Sequence, residues 1–384
     1  MSSPLLYSAV GARLRWHDID AGAATLAARG EFLLPEGLQY LWQHARRPFL
    51  YAACSDGRPG FAGSRHLACA LQMESSGVVR LHGEPIPLRA RPVHISTDVD
   101  SRHAILTFPN PGGLAVHPIR ADGTLGPEIG QAPLPPLRKT VHQALVTPDN
   151  RRLVVPVRGN PPEHGQAEEP GSLDIFDYAD GRLAHRQHIA PDGGFGFGPR
   201  HADFHPTRPW MYLSLERQNQ VAQFLVGDAF DGPLHRTSTL ERPDAEKPRQ
   251  LVGAIHVHPD GRFVYVSNRA DGTVDSGGRK LFNGGENSIA VFALDAQTGE
   301  PRLIQNADTH GMHPRTFAMD PGGRVMVVAN MTTRDVLGAD GAHDVPGGLS
   351  VFRIGDDGRL AFASKLDADT TKDHLFWVGM ARRP

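Results

Sequence analysis

Leu349-Ser350-Val351-Phe352 runs into Asp356-Asp357-Gly358, just as Ile289-Ala290-Val291-Phe292 runs into Gln297-Thr298-Gly299. Alternating apolar residues suit a half-buried strand, and Gly beside a small polar residue supplies the left-handed backbone of a tight hairpin. The pattern occurs seven times, at Asp20-Ala21-Gly22, Ser75-Ser76-Gly77, Ala121-Asp122-Gly123, Ala179-Asp180-Gly181, Phe230-Asp231-Gly232, Gln297-Thr298-Gly299 and Asp356-Asp357-Gly358. Seven such hairpins predict seven repeating β units.

A second hairpin signal lies between them. Its turns end at Pro48, Arg102, Arg151, Pro209, Arg262 and Arg324, spaced by 54, 49, 58, 53 and 62 residues. Four strands recurring every ~50 residues mark a propeller blade. The missing seventh hairpin can be assembled from the two ends of the chain, with His374-Leu375-Phe376-Trp377-Val378 as innermost strand beside Leu5-Leu6-Tyr7-Ser8-Ala9-Val10. The expected fold is thus an all-β, seven-bladed β-propeller over residues 1–384, a single domain whose ring is closed by the C-terminal innermost strand plus N-terminal strands.

Composition narrows the functional classes. The 384 residues carry 40 Lys and Arg against 42 Asp and Glu, a net charge of −2, so no overall field holds nucleic acid or an anionic membrane. Cys54 and Cys69 form neither a disulfide framework nor a metal motif and read as free intracellular thiols. No basic region followed by a long apolar run opens the sequence, which points to the cytoplasm.

Long segments at 160–171, 270–287 and 331–347 all follow second strands and elaborate one face. On that face the repeat acts as a ruler. Nine residues before each anchor stand Gln39, Val93, His142, Arg200, Gly253 and Arg315, and seven after stand Ser55, Pro109, Arg158, Glu216, Arg269 and Met331. The two rows direct His142, Arg158, Arg200, Glu216, Arg269 and Arg315 to the mouth of one channel. Guanidiniums bind carboxylate or phosphate in a two-pronged way, which selects an anionic or oxygen-rich small molecule. Glu216 and His142 are a candidate acid–base pair, with either residue open as the base and Arg as oxyanion stabiliser. Alternation turns Arg200 and His201 to opposite sides of their strand.

With 20 His the chain invites a metal reading, but His205-Pro206 and His258-Pro259 fall at the far turns, where hydrogen bonding to the turn is expected instead. His103, His117, His185 and His188 are expected on or near outer strands, facing solvent. Neither a Gly-x-Ser-x-Gly elbow nor a His-Glu-x-x-His motif is present.

Three segments, Gly198-Pro199-Arg200-His201-Ala202-Asp203-Phe204-His205-Pro206, Ile255-His256-Val257-His258-Pro259-Asp260-Gly261-Arg262-Phe263-Val264-Tyr265-Val266-Ser267-Asn268-Arg269 and His313-Pro314-Arg315-Thr316-Phe317-Ala318-Met319-Asp320-Pro321, resemble the seven-bladed propeller lactonase family. That family includes bacterial 6-phosphogluconolactonases and fungal carboxymuconate lactonizing enzymes. The resemblance implies a metal-independent enzyme without cofactor, and its catalytic His, two Arg and Glu match His142, Arg200, Arg269 and Glu216. Arg315, Arg158, His201 and His313 are expected to bind substrate. Where relatives carry Asn-Glu this chain has Leu215-Glu216, and Gly253 leaves one blade without a channel side chain. The expected activity is hydrolysis of a polar, sugar-derived or carboxylated lactone. The alternatives are a muconate-type cycloisomerase and a non-catalytic scaffold.

Overall fold

The structure, a computed structural model, describes residues 4–138, 140–162, 165–245, 249–338 and 341–384. These residues form β-strands with one short 3-10 turn, Pro191–Gly194, and divide into two compact units. The first takes Arg15–Arg29 and Asp203–Arg382 with the N-terminal strand Leu5–Val10; the second takes Gly30–Ala202 with Ala12–Leu14 and Arg383–Pro384.

In the first unit, Leu251–Val257, Phe263–Arg269, Ser288–Leu294 and Pro301–Asp308 form one antiparallel sheet, and Met312–Met319, Val325–Thr332, Gly348–Ile354 and Leu360–Asp367 form another. Trp210–Leu215, Gln220–Leu225 and Asp231–Ser238 continue the pattern. The two ends of the chain do pair. Leu5–Val10 lies antiparallel to Leu375–Ala381, with Leu5 opposite Ala381, in a sheet completed by Arg13–Asp20 and Thr25–Leu33. Between the sheets pack the apolar faces of alternating strands, such as Tyr265, Val291, Phe317, Val328 and Phe352.

The second unit holds the sheet of Leu38–Gln43, Phe49–Ser55, His66–Met73 and Val79–Leu81, and that of Leu145–Val146, Arg152–Val157, Ser172–Ala179 and Arg182–Ile189. Between these in sequence, His94–Thr97, His103–Pro109 and Gly112–Pro118 form three strands, not four. The turn at Ala121-Asp122-Gly123 is followed only by the isolated bridge between Ile119 and Leu125. The chain after it lies back on the third strand, Ile129 N–H donating to Val116 O at 2.8 Å. This corrects the expectation that His103 and His117 face solvent: both are buried, His117 Nδ1 donating to Gly126 O at 3.0 Å and His103 facing Asp98 at 2.9 Å. His185 and His188 are exposed, near Asp174.

Two Gly turns also differ in detail. At Asp20-Ala21-Gly22 the left-handed residue is Ala24, with φ 53°, and Asp231-Gly232 already belongs to the outer strand. The long segments at 270–287 and 331–347 are not loops. They form hairpins, Thr273–Ser276 with Arg279–Phe282 and Arg334–Gly338 with Gly341–Val345, joined by a parallel bridge from Leu281 to Asp335. Arg279 seals the junction, its Nε–H donating to Asp335 at 2.9 Å.

The turn between first and second strands is capped in each of six repeats by the residue four before the anchor. His44 Nδ1 accepts from the Arg46 and Arg47 amides at 3.0 and 3.2 Å, and His205 Nδ1 from those of Thr207 and Arg208 at 3.1 and 2.9 Å. Asp98, Thr147, His258 and Asp320 receive turn amides in the same way. Three residues past the anchor, Tyr51, Tyr212 and Tyr265 donate their hydroxyls to the carbonyls of Gly123, Gly299 and Gly358, each in an outer turn of another repeat.

Candidate active site

At the opposite strand ends the innermost strands lose register. The pairing slips between Leu38 and Tyr40, between Val252 and Ile255, and between Pro314 and Thr316. Those slips fall on Gln39, Gly253 and Arg315, members of the upper row picked out by the repeat. A bulge leaves a residue unpaired and re-aims its side chain, a device common beside active sites. Gly253 is there for space: a Cβ would lie 2.3 Å from Ser267 Oγ and 3.2 Å from the carbonyl oxygen of Arg315.

In the first unit this end gathers Glu216, Arg269, His313 and Asp271. Glu216 follows the strand Trp210–Leu215, Arg269 ends Phe263–Arg269, and His313 is the second residue of Met312–Met319. All three are buried, Glu216 and Arg269 pairing with side chains only 3% and 4% exposed. Each nitrogen of the Arg269 guanidinium has its own acceptor. Nε–H donates to Val252 O at 3.1 Å, Nη1–H to His313 Nε2 at 3.3 Å, and Nη2–H to Glu216 Oε1. On the far side of the imidazole, His313 Nδ1 lies 3.3 Å from Asp271 Oδ2. Arg315 is half-buried and lies over the ring of Phe376, its guanidinium carbon 3.8 Å from the centroid, a cation–π arrangement supplied by the C-terminal strand.

The second unit gathers aromatic nitrogen. The rings of His142 and His201 meet edge to face with centroids 4.9 Å apart, and His94 lies 6.0 Å from His201 and 4.2 Å from Tyr40. Arg200 is buried, at 1% exposure, in the same strand as His201. Burial first, and then the charge of Arg200, pull the His94 imidazole down to about 3. Arg158 is half-buried and tied to its own loop, Nε–H donating to Gly159 O at 3.2 Å and Nη2–H to Asn160 Oδ1 at 3.1 Å. Asn160 in turn donates to Glu169 at 2.5 Å, and Glu169 lines a groove of about 600 Å³ with Asn110, Leu137 and Arg138.

Within the first unit, then, the structure joins Glu216, Arg269 and His313, and within the second His142 and His201. Several residues of these clusters escaped the sequence reading. His94 stands one place beyond Val93 of the upper row, and Arg91 two places before it, with Nη1–H donating to Gln39 Oε1 at 3.1 Å and burial drawing it down to about 10. Asp271 stands two residues past Arg269, a spacing that puts both on one side of an extended chain. The His205 and His258 rings serve the far turns as expected, each Nε2–H donating to a glycine carbonyl, Gly261 or Gly323, at 2.9 Å. Cys54 and Cys69 are buried free thiols. Among the described residues no group of three or more His, Cys, Asp or Glu has the geometry to hold a metal ion, and no helix is long and apolar enough to cross a membrane.

Comparison with known proteins gives this arrangement a context. The family described as Lactonase, 7-bladed beta-propeller, matches residues 12–337. A 6-phosphogluconolactonase of Bacillus subtilis is 29% identical over 253 residues, covering 64% of this chain and 65% of the relative. A 6-phosphogluconolactonase of Formosa agariphila is 30% identical over 142 residues, covering 37% and 36%. The chain therefore matches less than two thirds of the length of these two relatives. A 6-phosphogluconolactonase of Erwinia tasmaniensis is 24% identical over 360 residues, covering 92% and 95%. Among solved structures, a protein from Lactobacillus plantarum superposes with a TM-score of 0.75 at 23% identity, covering 100% of both chains. A periplasmic gluconolactonase of Pseudomonas aeruginosa does so with 0.71 at 22% identity, covering 100% of both.

Proposed function

The chain belongs to the seven-bladed β-propeller lactonase family, and on that premise we propose that it hydrolyses a polar aldonolactone, with a phosphorylated gluconolactone foremost. The names of its relatives support the substrate class. The observation that carries the reading is the buried line Glu216, Arg269, His313, a carboxylate and an imidazole bound to two edges of one guanidinium. Such a line offers what ester hydrolysis needs: an acceptor for a water proton and a fixed cation for the oxyanion.

In this proposal water attacks the lactone carbonyl while Glu216 takes its proton. Arg269 and Arg315 hold the negative charge that gathers on the carbonyl oxygen. The tetrahedral species then collapses, the ring C–O bond breaks, and the proton held by Glu216 passes to the departing alkoxide, leaving a hydroxy acid. His142, His201, Arg158 and Arg200 enter by a separate argument, from the repeat and the family resemblance, as groups binding the substrate's remaining oxygens. The proposal also treats the chain as one propeller domain, its ring closed by the sheet that joins the two termini, and assigns the chemistry to the channel mouth without a metal.

A pH-indicator assay over aldonolactones tests it. The Glu216→Gln variant is expected to lower kcat by about a hundredfold. Equal turnover by wild type and variant overturns the assignment of Glu216, and a product with the mass of the substrate, without added water, favours cycloisomerisation instead.

A further inference from the structure

We propose that Asp271 is a positioning residue that fixes the tautomer of His313 and, through it, the direction of the Arg269 guanidinium. The inference rests on the lactonase reading for its kinetic consequence, and on geometry alone for its structural one.

An arginine can only donate. Because Arg269 Nη1–H points at His313 Nε2 across 3.3 Å, that nitrogen must carry the lone pair, and the ring proton of the neutral imidazole is on Nδ1. Nδ1 lies 3.3 Å from Asp271 Oδ2, an ion-pair approach that is not aligned as a hydrogen bond, so the carboxylate favours the proton on that nitrogen through its charge. The opposite tautomer would set Nε2–H against Nη1–H. Asp271 therefore keeps His313 able to receive Arg269, and with Nη1 held, the planar fork leaves Nη2 directed at Glu216.

The inserted hairpin supplies this device. Its two feet are Asp271, just past Arg269, and Asn287, just before the strand Ser288–Leu294. Asn287 Oδ1 accepts both the Ala270 N–H at 2.9 Å and the His313 N–H at 3.0 Å, so one foot grips the backbone of His313 and the other faces its ring. The grip has a reason. His313 has φ 56°, a left-handed conformation that costs energy in any residue with a Cβ, and it precedes Pro314, whose ring favours an extended predecessor. Such a backbone persists only where its surroundings hold it. Arg249 Nη1 lies 3.4 Å from Asp271 Oδ1, leaving Oδ2 to His313.

The test combines kinetics with ring spectroscopy on the full chain. Long-range proton–nitrogen-15 correlation spectra, with the His313 ring assigned by its loss in His313→Gln, are expected to show Nδ1–H in the wild type and loss of that preference in Asp271→Asn. With gluconolactone as substrate, Asp271→Asn is expected to lower kcat roughly 10- to 100-fold, KM staying within about twofold, because the error lies in orientation and not in binding. Asp271→Glu should restore part of kcat. An Nε2–H tautomer in the wild type overturns the proposal, as does wild-type kcat in a folded Asp271→Asn protein. Should the wild type hydrolyse no lactone, the functional reading falls while the spectra still decide the positioning.

Discussion

The two ends of the strands use the same residue types for opposite purposes. At the turn end, His44, Asp98, Thr147, His205, His258 and Asp320 spend their side chains on the amides of their own turn. At the other end Glu216, Arg269 and His313 hold one another, each arriving from a different sheet strand far along the chain. A side chain bonded to its own backbone is locked by local geometry, whereas side chains bonded to each other can exchange a partner for a substrate. Residue identity alone does not separate the turn-capping histidines from His313; what each ring is bonded to does.

The sharpest way to break this contrast is to mutate both ends and read the same two quantities. Glu216→Gln should cost about a hundredfold in kcat, while His205→Ala should leave the kcat of the folded protein at the wild-type value. A large kcat loss in His205→Ala would erase the distinction. Next in size, Arg269→Ala should destabilise the protein by about 3 to 5 kcal/mol, since it strands the buried Glu216 carboxylate, and adding Glu216→Leu should return much of that loss. Urea unfolding of the three proteins measures it. His205→Ala itself should cost about 1 to 3 kcal/mol in the same experiment, through the orphaned turn amides and the Gly261 carbonyl.

The smallest effect sharpens the comparison within the second unit. His94 is buried and neither of its ring nitrogens meets a hydrogen-bond partner among the described residues, so it belongs to neither kind of end. Its imidazole, pulled to about 3 by burial and by Arg200, is neutral in the folded chain, while the unfolded chain binds a proton near 6.5. Its contribution to stability is thus complete above pH 6.5 and is lost as pH falls towards 3. His17, lowered to about 4 by burial and then Arg15, adds to the same slope. His94→Phe should flatten the fall in urea midpoint between pH 7 and pH 4.5 without changing the midpoint at pH 7 by more than about 1 to 2 kcal/mol equivalent.

Much of this was legible before any coordinates. Gly turns and alternating strands gave the hairpins because both have a period and a residue signature, and the repeat then selected Glu216, Arg269 and Arg315. The bulges at Gln39, Gly253 and Arg315 left no mark, since a slipped register changes pairing without changing composition. The insertions read as loops because Thr273–Ser276 and Arg334–Gly338 are short, and the first is polar in most of its length. Burial of His117 depends on chain returning at residues 126–129, and that of His103 on Tyr178 from another sheet, long-range events that no local pattern carries. Asp271 and Asn287 sit outside the equivalent positions, and the repeat carries no mark of them.

The parallel bridge from Leu281 to Asp335 carries a lesson for loop grafting. Val274 and Leu337, 53% and 67% exposed, belong to the two hairpins that this bridge joins, so trimming either insertion leaves the other with an open edge. Redesign of either insertion is therefore expected to change both lengths together, as a single heritable module.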